Sequence, residues 1–166
     1  MRTIGIKVLG LAALSSAPGL AFAQPEPGYT VVPASERLTF LGVFADASVE
    51  VKVMLALLIA GAVWSVVVWA MSLGKVGGGD AKAVATALGR LKIVRSGAAP
   101  IGFLTASYVL FAGFLGISNV RPTPSLTVMA PGFAEATLAI MLGLLASALA
   151  VICERHIEAR IRRAAA

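Results

Sequence analysis

Three apolar runs dominate the sequence and limit what the chain can fold into. They cover residues 51–73, 100–120 and 131–153, and their only charged residues are Lys52 and Glu135. A helix rises about 1.5 Å per residue, so each run is long enough to cross the roughly 30 Å apolar core of a bilayer. The sequence therefore predicts an all-α integral membrane protein with three transmembrane helices.

The composition agrees with a membrane protein and disfavours a nucleic-acid-binding one. Apolar residues make up 58% of the chain and charged residues 13%, about half the charged share of a soluble domain. The net charge of +6 comes from cations that flank the apolar runs rather than line one soluble face. We therefore expect these cations to interact with the lipid bilayer, and we expect no nucleic acid as a partner.

The N-terminus has the pattern of a secretory signal peptide. Arg2 and Lys7 precede an apolar stretch, and the small-x-small triplet Ala21-Phe22-Ala23 follows. The alternative, a fourth membrane helix, is disfavoured because Pro18 and Gly19 interrupt the run. Around the three spans we expect these segments: a signal peptide 1–23, a periplasmic linker and amphipathic helix 24–50, a short cytoplasmic link 74–99, a periplasmic turn 121–130 and a basic cytoplasmic tail 154–166.

The distribution of cations predicts the topology. The link 74–99 holds five Lys and Arg residues and the tail 154–166 holds four, whereas 24–50 and 121–130 hold one each. Loops rich in Lys and Arg stay in the cytoplasm. A cleaved signal peptide independently places residue 24 outside. Both signals predict an N-out, C-in topology.

Glu135 is the candidate functional residue because it is a carboxylate within an apolar run. Such a residue costs roughly 2.5–3.5 kcal/mol near the bilayer centre, and it usually faces a bundle interior or a water path. The alternative is that Glu135 is solvated at the outer interface, since Pro131 and Gly132 lie close to it and a helix can begin there.

Small residues follow Glu135 at helical spacing and predict a helix-packing face. Ala139, Gly143 and Ser147 recur every four residues, which lets another helix approach closely. The second span offers a matching small-residue surface. Its members are Gly102, Ala106, Gly113 and Gly116.

No pattern in the sequence indicates an enzyme or a cofactor site. Cys153 and His156 are three residues apart and can share a helix face, but two ligands do not complete a zinc site. The triple glycine 77–79 lacks the Gly-Lys-Ser/Thr that a phosphate loop requires. We therefore expect no metal, no cofactor and no catalytic residue.

The segment Ala130-Pro131-Gly132-Phe133-Ala134-Glu135-Ala136, followed by Gly143-Leu144, resembles the third-helix signature of the ExbB/TolQ proton-channel family, which is related to MotA. Residues 44–52 with Trp69 resemble the entry to that family's first helix, and 116–119 resemble the end of its second. The resemblance implies a homo-oligomer, a pentamer in the bacterial inner membrane, around an ExbD/TolR-like single-span partner. It also implies that Glu135 is the pore glutamate, which relays protons to energise biopolymer or protein transport.

The chain departs from the family pattern at two pore positions and in the cytoplasmic link. Ile140 and Gly113 stand where the family has threonines, and residues 74–99 replace a much larger helical domain. These departures motivate an alternative function, a degenerate, non-conducting scaffold or assembly subunit of the same family.

Overall fold

The computed structural model describes Pro33, residues 37–122 and residues 124–165 of the chain. The chain divides into two units, residues 1–37 and 38–166. The expected signal peptide and most of the expected linker lie outside the described residues.

The described residues of the second unit form four helices, which are α1 (Phe40–Asp46), α2 (Val49–Gly77), α3 (Ala81–Ser118) and α4 (Leu126–Ala165). The three long helices are each long and apolar enough to cross a membrane. For the described residues, the prediction of an all-α fold with three helices able to span a membrane is confirmed.

Local capping interactions set two of the helix starts. The Thr39 hydroxyl accepts a hydrogen bond from the Gly42 N–H at the start of α1, and the Asp80 carboxylate accepts one from the Ala83 N–H at the start of α3. Between α2 and α3 the chain turns sharply at Gly79, whose positive φ of 73° suits glycine. The expected amphipathic helix within 24–50 is interrupted, because extended backbone at Ser48 separates α1 from α2.

Two helices begin earlier than the sequence predicted. The helical stretch expected inside the link 74–99 runs without a break into the second span, so α3 is one helix of 38 residues that contains Pro100. The expected turn 121–130 is shorter, because α4 begins at Leu126 and contains Pro131. Proline signals a helix boundary in soluble proteins, but membrane helices tolerate it.

The closest helix contact is between α3 and α4, and it depends on two glycines. A Cβ atom on Gly102 would lie 2.7 Å from the Ala139 carbonyl oxygen and 2.9 Å from the Gly143 Cα. A Cβ atom on Gly143 would lie 2.7 Å from the Ala98 carbonyl oxygen. The two backbones are therefore in van der Waals contact, as small-residue membrane crossings allow.

The apolar runs of α2 and α3 lie at different heights along the bundle axis. A Cβ atom on Gly61, in the middle of 51–73, would lie 3.6 Å from the Val94 side chain of α3. The middle of 100–120 is about 24 Å further along α3 at 1.5 Å per residue. Consequently Arg95, which the sequence assigned to a hydrophilic link, packs at the level of the α2 apolar run.

Candidate functional site

Helix α4 holds Glu135 nine residues after its first residue, Leu126. The helix start near Pro131 that supported the alternative interpretation is therefore wrong, while the solvation of Glu135 at the outer interface stays a prediction. Glu135 is partly buried, and the next residue, Ala136, is 3% exposed. One carboxylate oxygen of Glu135, Oε1, is buried without a hydrogen-bond partner among the described residues.

The start of α2 faces the Glu135 carboxylate. The backbone N–H of Ser48, which is the N-cap of α2, and the ammonium group of Lys52 both interact electrostatically with this carboxylate. The Ser48 side chain makes no capping hydrogen bond. The positive end of the α2 dipole is thus available to a carboxylate.

Helix α1 covers the same end of the bundle. Its residues Val43 and Phe44 pack against the buried core that includes Ala136 and Leu138. Glu135 is therefore neither on an open aqueous surface nor fully enclosed. Its carboxylate lies where α1, the start of α2 and α4 meet.

The three small residues that follow Glu135 on α4 all lie at the contact with α3. Ala139 is fully buried, and Gly143 touches Gly102. The Ser147 hydroxyl donates a 2.7 Å hydrogen bond to the Arg95 carbonyl oxygen. The predicted packing face of α4 is thus present in the structure, although Glu135 itself faces α2.

The small residues predicted for the second span divide into two groups. Gly102 and Ala106 are buried in the contact with α4. Gly113 and Gly116 do not contribute to it, because a Cβ atom on either would have no neighbour within 4 Å. The packing role expected of Gly113 and Gly116 needs correction: they line an open groove between α3 and α4 instead.

An ion pair at the other end of the α3–α4 contact was missed by the sequence analysis. The Arg95 guanidinium lies 2.9 Å from the Glu154 carboxylate, and Glu154 is 8% exposed. The two residues are 59 positions apart, so no local motif links them. The helical periodicity of α4 did indicate where Glu154 packs, because Glu154 lies on the same side of the helix as Gly143 and Ser147.

Trp69 and His156 join α2 to α4 near this ion pair. Their ring centroids are 5.5 Å apart in an edge-to-face arrangement. Cys153 is buried and belongs to an apolar cluster with Val68 and Ile157. No group of three or more His, Cys, Asp and Glu that could hold a metal ion occurs in the described part of the chain. Cys153 and His156 therefore have packing roles here.

No protein-family model matches the chain, and none of the curated proteins matches it.

Proposed function

We propose that this chain is an ExbB/TolQ-like subunit of an inner-membrane complex that uses the proton motive force. In this proposal Glu135 is the proton relay, and the complex energises transport of a biopolymer or protein. The observation that supports it most is the position of Glu135, a partly buried carboxylate in a long apolar helix with one oxygen lacking a hydrogen bond. Intramembrane carboxylates with open hydrogen-bonding capacity are suited to taking up and releasing protons.

The charge distribution in the fold supports an N-out, C-in topology for the proposed subunit. The α2–α3 turn lies beside the C-terminal end of α4, where Lys75 and Ile161 line one groove. The cations nearest the α2–α3 turn, Lys75 and Lys82, and those of the tail around Ile161 therefore gather at one end of the bundle. The positive-inside rule assigns that end to the cytoplasm. Glu135 then lies toward the outer side.

The proposed relay step involves one proton and no other bond change. The Glu135 carboxylate accepts a proton from the outer side and becomes neutral, then returns to its charged form when the proton leaves toward the inner side. The α2 N-terminus and Lys52 attract the charged form. The three long helices of one chain enclose little interior, so the inward path requires further subunits and the proposed ExbD/TolR-like partner.

Proton flux in liposomes tests this proposal. The complex is purified with any single-span protein that copurifies, and a pH-sensitive dye reports proton entry under an imposed gradient. Glu135→Gln should reduce flux to the level of protein-free vesicles. The control is Glu50→Gln, which removes an exposed carboxylate at the start of α2 and should leave flux unchanged. Equal flux for wild type and Glu135→Gln would exclude the relay.

A second candidate function, a non-conducting scaffold of the same family, is favoured by a different observation. The Glu135 carboxylate faces the uncapped start of α2, so it can serve as a structural cap that holds α2 against α4. Ile140 also packs against the apolar core, which leaves no hydroxyl at that pore position.

The mass of the purified complex distinguishes the two functions when it is measured for Glu135→Ala. A scaffold whose α2 is held by Glu135 should lose subunits or unfold at lower temperature in this variant. A proton relay should keep its subunits and its partner while it loses flux.

A further inference from the structure

A groove between α2 and α3 lies at the cation-rich end of the bundle. Its volume is about 330 Å³, and Trp64, Val68 and Met71 of α2 line its apolar part. Lys75 and Arg90 line it as well, one from each helix. The groove is therefore amphipathic, with an aromatic and aliphatic wall beside two cations.

Neither cation of this groove forms an ion pair with a carboxylate of the described residues. The ion pairs of residues 37–122 and 124–165 are Arg95 with Glu154 and Arg155 with Glu158. Lys75 and Arg90 are both exposed. Two positive charges from different helices are thus presented to the same space without compensation, which suits an anion brought from outside the chain.

The apolar wall of the groove suits acyl chains. Trp64 is 48% exposed and Met71 is 64% exposed, whereas Val68 is buried behind them. Trp64 lies about 16 Å before Lys75 along α2, so the apolar wall runs from the cations toward the middle of the α2 apolar run. The cations therefore lie where an anionic headgroup meets the first segments of its acyl chains.

We infer that this groove binds an anionic phospholipid, with its phosphate between Lys75 and Arg90 and its chains along Trp64 and Met71. Basic pockets between membrane helices recognise such headgroups. The volume fits a headgroup and the first part of the chains, while the remainder of the lipid stays in the bilayer. This binding is independent of proton flux, so the lipid site and the proposed relay can fail separately.

Tryptophan quenching by brominated lipids tests the inference on the full chain. Trp69→Phe leaves Trp64 as the only tryptophan, and the chain is placed in nanodiscs of phosphatidylcholine. Brominated phosphatidylglycerol is then compared with brominated phosphatidylcholine at equal content. We expect stronger quenching by the anionic lipid. Each cation should contribute about fivefold in relative affinity.

The matched comparison uses two double variants that remove the same charge. Lys75→Gln/Arg90→Gln should abolish most of the preference, about 25-fold in relative affinity if the two contributions add. Lys82→Gln/Lys92→Gln removes two exposed cations of α3 that do not line the groove, and it should retain the preference. An equal loss of the lipid preference in both double variants would show that the cations attract anionic lipid only through their total charge. Protection of Trp64 from both lipids would show that another protein copy fills the groove; either result overturns the inference.

Discussion

The Gly102–Gly143 crossing gives the sharpest prediction from the fold. In Gly143→Ala the new Cβ atom would lie 2.7 Å from the Ala98 carbonyl oxygen if the backbone did not move. Carbon–oxygen contacts of this kind are normally no shorter than about 3.3 Å. The α3 and α4 backbones must therefore separate by about 0.6 Å, because backbone atoms on both sides leave no side chain that could rotate away.

The cost of this separation follows from the contacts that it lengthens. A gap of 0.5–1 Å removes roughly a quarter to a half of the attraction between packed atoms. The Ser147–Arg95 hydrogen bond would lengthen from 2.7 Å to about 3.3 Å. Overpacking of this kind typically costs about 1–3 kcal/mol. We expect Gly143→Ala to lower the free energy of unfolding by that amount.

The control for this prediction is Gly113→Ala in the neighbouring helix. Its Cβ atom would meet nothing within 4 Å, and alanine is about 1 kcal/mol better than glycine in a helix interior. Gly113→Ala should thus be neutral or slightly stabilising. The assay is unfolding of the purified chain by dodecyl sulfate in mixed micelles, followed by circular dichroism. If Gly143→Ala proves as stable as Gly113→Ala, the close crossing is refuted.

Three further predictions concern the polar contacts of α4. Arg95→Met should lower the free energy of unfolding by about 1–3 kcal/mol, because it leaves the buried Glu154 carboxylate unpaired; the double variant Arg95→Met/Glu154→Met should recover much of the loss in the same unfolding assay. Ser147→Ala should lower the free energy of unfolding by about 1 kcal/mol because it removes an interhelical hydrogen bond. Thr137→Ala removes a hydroxyl that bonds within its own helix and should change stability little. Equal effects of the two variants would contradict a stabilising role for the interhelical bond. Trp69→Leu should lower the thermal unfolding midpoint through loss of the edge-to-face contact with His156, and an unchanged midpoint would show that the contact contributes nothing.

The helical class and the three spans follow from the sequence because they depend on local composition. Long apolar runs form helices in a membrane whatever their neighbours do. The helix boundaries were less predictable. Pro100 and Pro131 suggested boundaries, yet both lie inside helices, since packing against other helices compensates for a missing backbone hydrogen bond.

The sequence could not predict which residues of neighbouring helices lie side by side, and the reason is physical. The spacing of Ala139, Gly143 and Ser147 fixes which side of α4 they share, but it contains no information about which α3 residue they meet. Gly102 and Gly113 are equally small, and only the crossing point decides that the first packs against α4 and the second does not. The Arg95–Glu154 pair depends on the same register.

Glu135 was identifiable from the sequence as a carboxylate in an apolar run, while its neighbours were not. The sequence indicated that it faces a bundle interior or a water path but not which helix it meets, and the structure places it beside the start of α2. Each residue advances 100° around a helix, so residues four apart drift by about 40°. Over two such steps the direction changes enough for Glu135 and Gly143 to face different helices.

The measurement that tests the relay most directly is proton flux through liposomes containing Glu135→Asp beside those containing Glu135→Gln. Glutamine keeps an acceptor for the α2 N-terminus but cannot take up a proton, whereas aspartate keeps the titrating group on a shorter side chain. The relay predicts no flux above vesicle leak for Glu135→Gln and partial recovery for Glu135→Asp. Wild-type flux in the glutamine variant would contradict the proposed function of this chain.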